Sequence, residues 1–260
     1  LLIVAGAGSG KTKVLTSRIA HIIKEKKAYP NQILSVTFTN KAAKEMHNRV
    51  SAILKTEAVG LSWLGTFHSI CAKLLRKHAA AAGLKSNFTI IDQDDQERLI
   101  KNICKSENID VKKLAPRYIL SIIDRWKNKG YYPEKVILNK KDIFEKKILP
   151  IYKIYQKKLL DLNTCDFGDL ILHCVNIFEN NSDLNEIYSG NFKYILVDEY
   201  QDTNFIQSKW LNLLTRKHQN ICCVGDDDQS IYSWRGAEIK NFLEFDKIYK
   251  KTKVIRLEEN

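Results

Sequence analysis

Leu1-Leu2-Ile3-Val4-Ala5-Gly6-Ala7-Gly8-Ser9-Gly10-Lys11-Thr12 opens the chain. Four apolar residues run into a loop of small residues, then a lysine and a threonine, with an amphipathic stretch at residues 14–24 behind them. A strand, a glycine loop and a helix in that order make a cradle for phosphate. Small residues let backbone N–H groups approach the oxygens, and the helix N-terminus adds a favourable dipole. In such a P-loop Lys11 reaches the β- and γ-phosphates of a nucleotide, and the Thr12 hydroxyl binds Mg²⁺. Ala5 stands where the strict pattern has its first glycine, and a small residue suffices there. Ala5, Gly6, Ala7, Gly8, Ser9, Gly10, Lys11, Thr12 and Lys13 form the candidate nucleotide-binding set.

Working outward, the same device recurs. Apolar runs at 33–38, 194–197 and 221–224 lead into Thr39-Asn40-Lys41, Asp198-Glu199 and Gly225-Asp226. Buried apolar strands alternating with amphipathic stretches predict an α/β fold, a P-loop parallel sheet wrapped by helices. Residues 69–186 differ, with apolar positions three and four apart, as in Leu99, Ile100, Ile103 and Ile119, Ile122, Ile123. Pro116, Pro133 and Pro150 are expected to divide this stretch into separate helices. The expected organisation is a discontinuous α/β domain at 1–77 and 190–260, with an inserted helical subdomain at 78–189.

No apolar run approaches the roughly 20 residues needed to cross a bilayer, and no signal-peptide pattern precedes the P-loop. Six cysteines (Cys71, Cys104, Cys165, Cys174, Cys222, Cys223) show no C-x-x-C pair and no histidine at zinc spacing. They read as reduced core thiols, which implies a cytoplasmic protein. Net charge is +12, and residues 101–160 hold sixteen Lys/Arg against six Asp/Glu, most of that excess. Such a balance fits either a polyanion-facing surface or solvated helix faces.

Asp198-Glu199 at a strand end fits an N-cap, or a metal-binding Asp followed by a Glu that deprotonates an attacking water. The P-loop upstream favours the second. Residues 224–237, Val-Gly-Asp-Asp-Asp-Gln-Ser-Ile-Tyr-Ser-Trp-Arg-Gly-Ala, put Gln229 a few residues from Tyr232, Trp234 and Arg235. That segment can touch a nucleotide at one end and a nucleic-acid base at the other. Asp166-Phe167-Gly168 copies a kinase tripeptide without the accompanying His-Arg-Asp loop. Asp226-Asp227-Asp228 is not expected to hold a second metal, because neighbouring side chains in a turn diverge.

Taken in order, Ala-Gly-Ala-Gly-Ser-Gly-Lys-Thr at 5–12, Thr-Phe-Thr-Asn-Lys-Ala-Ala at 37–43 and Gly-Thr-Phe-His-Ser at 65–69 resemble motifs of the UvrD/Rep/PcrA family of superfamily 1 DNA helicases. So do Asp-Phe-Gly-Asp-Leu at 166–170, Asp-Glu-Tyr-Gln-Asp-Thr at 198–203 and the segment at 224–237. The resemblance implies the first RecA-like motor domain of an ATP- and Mg²⁺-dependent 3′→5′ translocase on single-stranded DNA and its junctions with duplex, used in repair or replication restart. It implies catalytic roles for Lys11, Asp198, Glu199 and Gln229, with Gln201 as a second group coupling phosphate to motion. A DNA track of Phe38, Asn40, Lys41, Thr66, His68, Tyr232, Trp234 and Arg235 follows from it, although Phe38 and His68 fit a core role equally. Aromatic faces on such a track stack on bases without demanding sequence. Trp63, Trp126 and Trp210 sit in apolar contexts and read as packing residues. The motor part of a RecB/AddA-type helicase–nuclease, and a nucleotide-gated DNA-binding module, fit the same motifs. In the family, an adenine-recognising segment precedes the P-loop and a second motor domain supplies phosphate-contacting arginines. Residues 1–260 alone are therefore expected to turn over ATP very slowly. Lys13 stands where relatives often carry an arginine near the base.

Overall fold

A computed structural model describes residues 1–6, 8–55, 60–138, 142–229 and 236–257. Two compact units emerge, one made of residues 1–70 and 178–260 and the other of residues 71–177. Both divisions fall inside helices, Phe67–Lys77 and Phe167–Asn180, so neither is marked by Pro or Gly punctuation in the sequence.

In the first unit six strands form one sheet: β1 (Leu2–Ala5), β2 (Ile33–Thr37), β3 (Leu64–Thr66), β6 (Tyr194–Val197), β7 (Ile221–Gly225) and β8 (Val254–Leu257). Their order is β3-β2-β6-β7-β1-β8 and every pairing is parallel. The four strands expected from the apolar runs are there. The three-residue β3 and the half-exposed β8 lacked the continuous apolar run that betrays a buried strand. Because all six strands point one way, the loops at their C-terminal ends gather along one edge of the sheet, where ligands bind in open α/β folds.

Helix α1 (Lys11–Lys24) follows β1 and buries Leu15, Ile19, Ile22 and Ile23 against the sheet. That spacing of four, three and one is the apolar stripe of a helix packed on one face. Helix α2 (Asn40–Leu54) adds Met46, Val50 and Leu54 to the same core. Helix α3 is Phe67–Lys77. Helices α8 (Ser182–Asn191), α9 (Phe205–Thr215), α10 (Ile239–Leu243) and α11 (Phe245–Ile248) complete the unit. Trp210 on α9 is fully buried, and Trp63 lies edge-on to Phe192 at 5.3 Å, so both are packing residues as their contexts suggested.

The second unit is helical: α4 (Gln93–Ser106), α5 (Pro116–Asn128), α6 (Ile143–Asp161) and α7 (Phe167–Asn180). A short parallel pair, β4 (Thr89–Ile90) with β5 (Thr164–Cys165), ties it together and was invisible in the sequence. Ile100, Ile103, Ile119, Ile123, Ile148, Ile151 and Tyr155 make its core, with Trp126 stacked on Tyr152 at 5.8 Å. Pro116 starts α5, where a missing N–H costs nothing. Pro150, by contrast, lies inside α6 and does not separate two helices. It sits on the exposed side of that helix, while Ile148 and Ile151 on either side of it are buried and hold the helix on the core.

At the centre of this unit lies a fully buried cation. The Lys127 ammonium donates to Asp166 at 2.6 Å and to Asp169 at 2.7 Å. Tyr155 and Gln156 donate to the same two carboxylates. A side chain at position 168 would meet the Lys127 stem at 2.9 Å, so the glycine of the Asp-Phe-Gly triplet makes room for it. Cys165, Asp169 and His173 bring three potential ligand atoms within 4.8 Å of one another. The carboxylate is already neutralised by Lys127, burial keeps the Cys165 thiol protonated, and Tyr132 bonds His173 Nδ1 at 2.6 Å. Lysine fills the cation's place here. All six cysteines are buried and free.

Candidate active site

The site is assembled from the loops after β1, β6 and β7, three adjacent ends of the sheet. Gly8 and Gly10 have φ of 78° and 86°, a backbone region costly for any residue with a side chain. Ser9 folds back on the loop, its hydroxyl donating to the Gly6 carbonyl at 2.7 Å. Gly10 caps α1 without a side-chain bond, and no acidic residue stands in the first turn. The leading N–H groups of the helix are thereby left to an anion. Thr12 and Lys13 lie in this first turn, and Ala7 lies outside the described residues.

Residues from both ends of the chain meet at Lys11. Its ammonium donates to Glu199 Oε2 at 2.9 Å and to Gln229 Oε1 at 3.2 Å. From Glu199 the contacts run on, Gln201 Nε2 donating to the same carboxylate oxygen at 2.8 Å. Gln201 Oε1 in turn accepts the Asp226 N–H at 3.1 Å, and Gln229 Nε2 donates to Asp226 Oδ2. Five residues therefore close a ring: Lys11, Glu199, Gln201, Asp226 and Gln229. Both amides are oriented by it, with each oxygen and each nitrogen matched to a partner of the right kind.

Glu199 reaches its place through a left-handed backbone, φ 49° and ψ 47°, rare for a residue with a side chain and worth about 1 kcal/mol or more of strain. Asp198, just before it, is almost fully buried at the end of β6. Burial, and then the neighbouring Glu199 charge, push its carboxyl up to about 6. Asp202 is pushed up to about 6 by the same two causes. Hard carboxylate and hydroxyl oxygens from Asp198 and Thr12 are the donor types that suit Mg²⁺, and a buried carboxyl of raised pKa is one that a dication would ionise.

Along the same sheet edge, Phe38 follows β2 and Thr66 ends β3, where Thr37 is paired with Thr66. Asn40 and Lys41 are exposed at the start of α2, which Thr39 caps by accepting the Ala42 N–H. Phe38 is half-buried, its ring 5.4 Å from Phe67, which packs in turn on Trp210. Thr66 is buried, and its hydroxyl accepts the Ser69 N–H while Ser69 Oγ accepts the Thr66 N–H, a reciprocal cap on α3. His68 is half-buried in the first turn of α3, and burial lowers its pKa. Tyr232, Trp234 and Arg235 lie outside the described residues.

The ends flanking that segment are both fastened to the loop after β6. Upstream, Asp226 is held by Gln201. Downstream, Ala237 pairs with Asn204, the Glu238 N–H donates to the Thr203 carbonyl at 3.0 Å, and Asn241 Nδ2 donates there at 3.1 Å. Nothing in the sequence marks Asp226, Thr203 or Asn241 for these bonds. Only Gly225 carries a usable signal, since a side chain there would collide with Gln201 and stand 2.7 Å from Phe242.

Residues 1–250 match the family described as UvrD/REP helicase N-terminal domain. The chain is 49% identical over 263 residues to the "Probable DNA helicase II homolog" of Rickettsia conorii, covering 100% of this chain and 40% of that protein. It is 48% identical over 260 residues to the "ATP-dependent DNA helicase PcrA" of Staphylococcus epidermidis, covering 100% of this chain and 36% of that protein. A "DNA helicase II" from Rickettsia typhi is 49% identical over 264 residues, again over 40% of its length. The chain thus spans about two fifths of the length of the curated relatives it matches.

Proposed function

This chain belongs to the UvrD/REP helicase family, and from that premise we propose that it is the ATP-binding motor part of a DNA helicase. The observation that carries the proposal is the meeting of Glu199 and Gln229 on the P-loop lysine, since these come from the segments at 198–203 and 224–237. The discontinuous unit is the RecA-like motor domain and the helical unit is its insertion.

In this reading Lys11 exchanges Glu199 and Gln229 for the β- and γ-phosphates of ATP. Thr12 and Asp198 hold Mg²⁺, which offsets phosphate charge when bound. Glu199, released from the lysine, accepts a proton from the attacking water. Gln229 presents its carbonyl oxygen to Lys11 and its amide nitrogen to Asp226. An acceptor aimed at the phosphate position repels an anion, so Gln229 must turn its amide when phosphate arrives. That rotation takes place three residues before Tyr232, in the segment that also carries Trp234 and Arg235. These three, with Phe38, Asn40, Lys41 and His68, form the track for single-stranded DNA. Thr66 serves the track by capping α3. The enzyme moves 3′→5′ along single-stranded DNA in the cytoplasm, opening junctions with duplex in repair or replication restart.

Two expected results test this. The intact protein hydrolyses ATP faster with single-stranded DNA and separates 3′-tailed but not 5′-tailed duplexes. No stimulation by DNA sinks the motor reading, and a 5′-tail preference reverses the direction. The second concerns the helical unit, where Lys146, Lys153 and Lys157 are exposed at spacings that put them on one side of α6. Replacing all three with glutamine should lower the slope of log affinity against log salt by about 0.7–0.9 for each DNA phosphate that is no longer neutralised. An unchanged slope makes them a solvated face. Lys127 cannot contribute, being buried in its ion pairs, and Lys140 and Lys141 lie outside the described residues.

A further inference from the structure

We propose that Gln201 is a positioning residue that ties the orientation of Glu199 to the segment following β7. The inference rests on the motor reading above, but the role is not that of a group reaching the phosphate. Gln201 is 1% exposed, and both ends of its amide are occupied. Its nitrogen fixes Glu199 Oε2, and its oxygen takes the backbone N–H of Asp226, the residue that in turn holds Gln229.

Three features make this amide a link rather than a filler. Glu199 is held in a left-handed turn, and among the described residues its carboxylate is bonded by Lys11 and Gln201. When phosphate draws Lys11 away, the Gln201 bond is the one of the two that stays. Next, a Cβ at position 225 would force the Gln201 oxygen or the Phe242 ring to shift, so glycine at the end of β7 leaves room for this side chain. Finally, Glu238 and Ala237 are fastened to Thr203 and Asn204, two and three residues beyond Gln201. Asp226 and residues 237–238 are thus both tied to the turn that carries Glu199, at Gln201 and at Thr203–Asn204. A bound strand that shifts either tie reaches the catalytic base through Gln201, in parallel with the path from Gln229 to the phosphate.

The test uses the intact protein with two variants, Gln201→Leu and Gln201→Glu. Leucine keeps the volume and removes both hydrogen bonds. It should lower DNA-stimulated kcat by about 10–100-fold, the equivalent of one hydrogen bond to a charged group, with KM for ATP within about threefold of wild type. The ratio of DNA-stimulated to DNA-free turnover should fall with it. Glutamate keeps an oxygen that can accept the Asp226 N–H but replaces the amide donor to Glu199 with a carboxylate, so it should lower kcat as leucine does, again with KM within about threefold of wild type. The proposal is overturned if kcat and DNA stimulation stay at wild-type values in both variants. It is equally overturned if KM rises together with the fall in kcat in both variants, since that pattern is general damage to the site. Absence of ATP turnover in the wild-type protein would count against the motor reading instead.

Discussion

Alanine at position 11 is expected to reduce ATP turnover by the intact protein by about 10²–10³-fold or more, the loss seen when a charge-stabilising donor is removed from a reaction centre. Lys11 is the hub of the ring, the only member that touches both Glu199 and Gln229. Its loss removes the cation that would face the terminal phosphates. Glu199 keeps its bond from Gln201, and Gln229 keeps its bond to Asp226, so the rest of the site should hold its shape. Affinity for single-stranded DNA without nucleotide should therefore stay near wild type, because none of the track residues bonds to Lys11 among the described residues. Steady-state hydrolysis and DNA titration on the same preparation make the comparison. Unchanged turnover would remove the P-loop reading, and a parallel loss of nucleotide-free DNA binding would mean that the variant disturbs more than the phosphate site.

Much of this site could be read in the sequence because each piece is local. A strand, a glycine loop and a helix are contiguous at residues 1–24, and the two acids follow directly on β6. Parallel strands then bring the loops together without any further signal. The unreadable parts are the bonds made across the chain. Gln201 and Asp226 are 25 residues apart, and nothing in either neighbourhood announces that an amide oxygen will meet a backbone N–H. Thr66 also caps α3 through reciprocal bonds with Ser69, a use that its place among polar residues does not announce. The short strands β3, β4 and β5 have two or three residues each, too few for a period to show. Pro150 misled for a different reason. Proline's cost in a helix depends on which side it faces, and that is a property of the packed unit.

Lys127→Met is expected to destabilise the helical unit by about 3–5 kcal/mol, the cost of leaving buried carboxylates without their counter-ion. From sequence this lysine was one of sixteen basic residues in a surface-like run. It is fully buried because separate segments converge on it: Asp166 and Asp169 from the start of α7, and Tyr155 with Gln156 from α6. Burial pushes Asp169 up, but Lys127 and His173 more than offset that and hold it below the usual carboxylate range. Burial and the Asp169 charge raise Asp166. Removing the ammonium leaves both acids raised, so in the variant they fold more readily protonated. The deficit should then be largest near neutral pH and shrink as the pH falls toward the ordinary carboxylate range of about 4, the reverse of ordinary acid denaturation. Adding Asp166→Asn and Asp169→Asn to Lys127→Met should recover much of the loss, since a neutral network needs no counter-ion. Urea melts of the single and triple variants at about pH 5 and about pH 7.5 would measure all three effects. A Lys127→Met protein as stable as wild type at neutral pH would mean that these charges are not sealed from water. A deficit that failed to shrink in acid would assign the loss to packing of the lysine stem, which runs past Gly168, rather than to its charge.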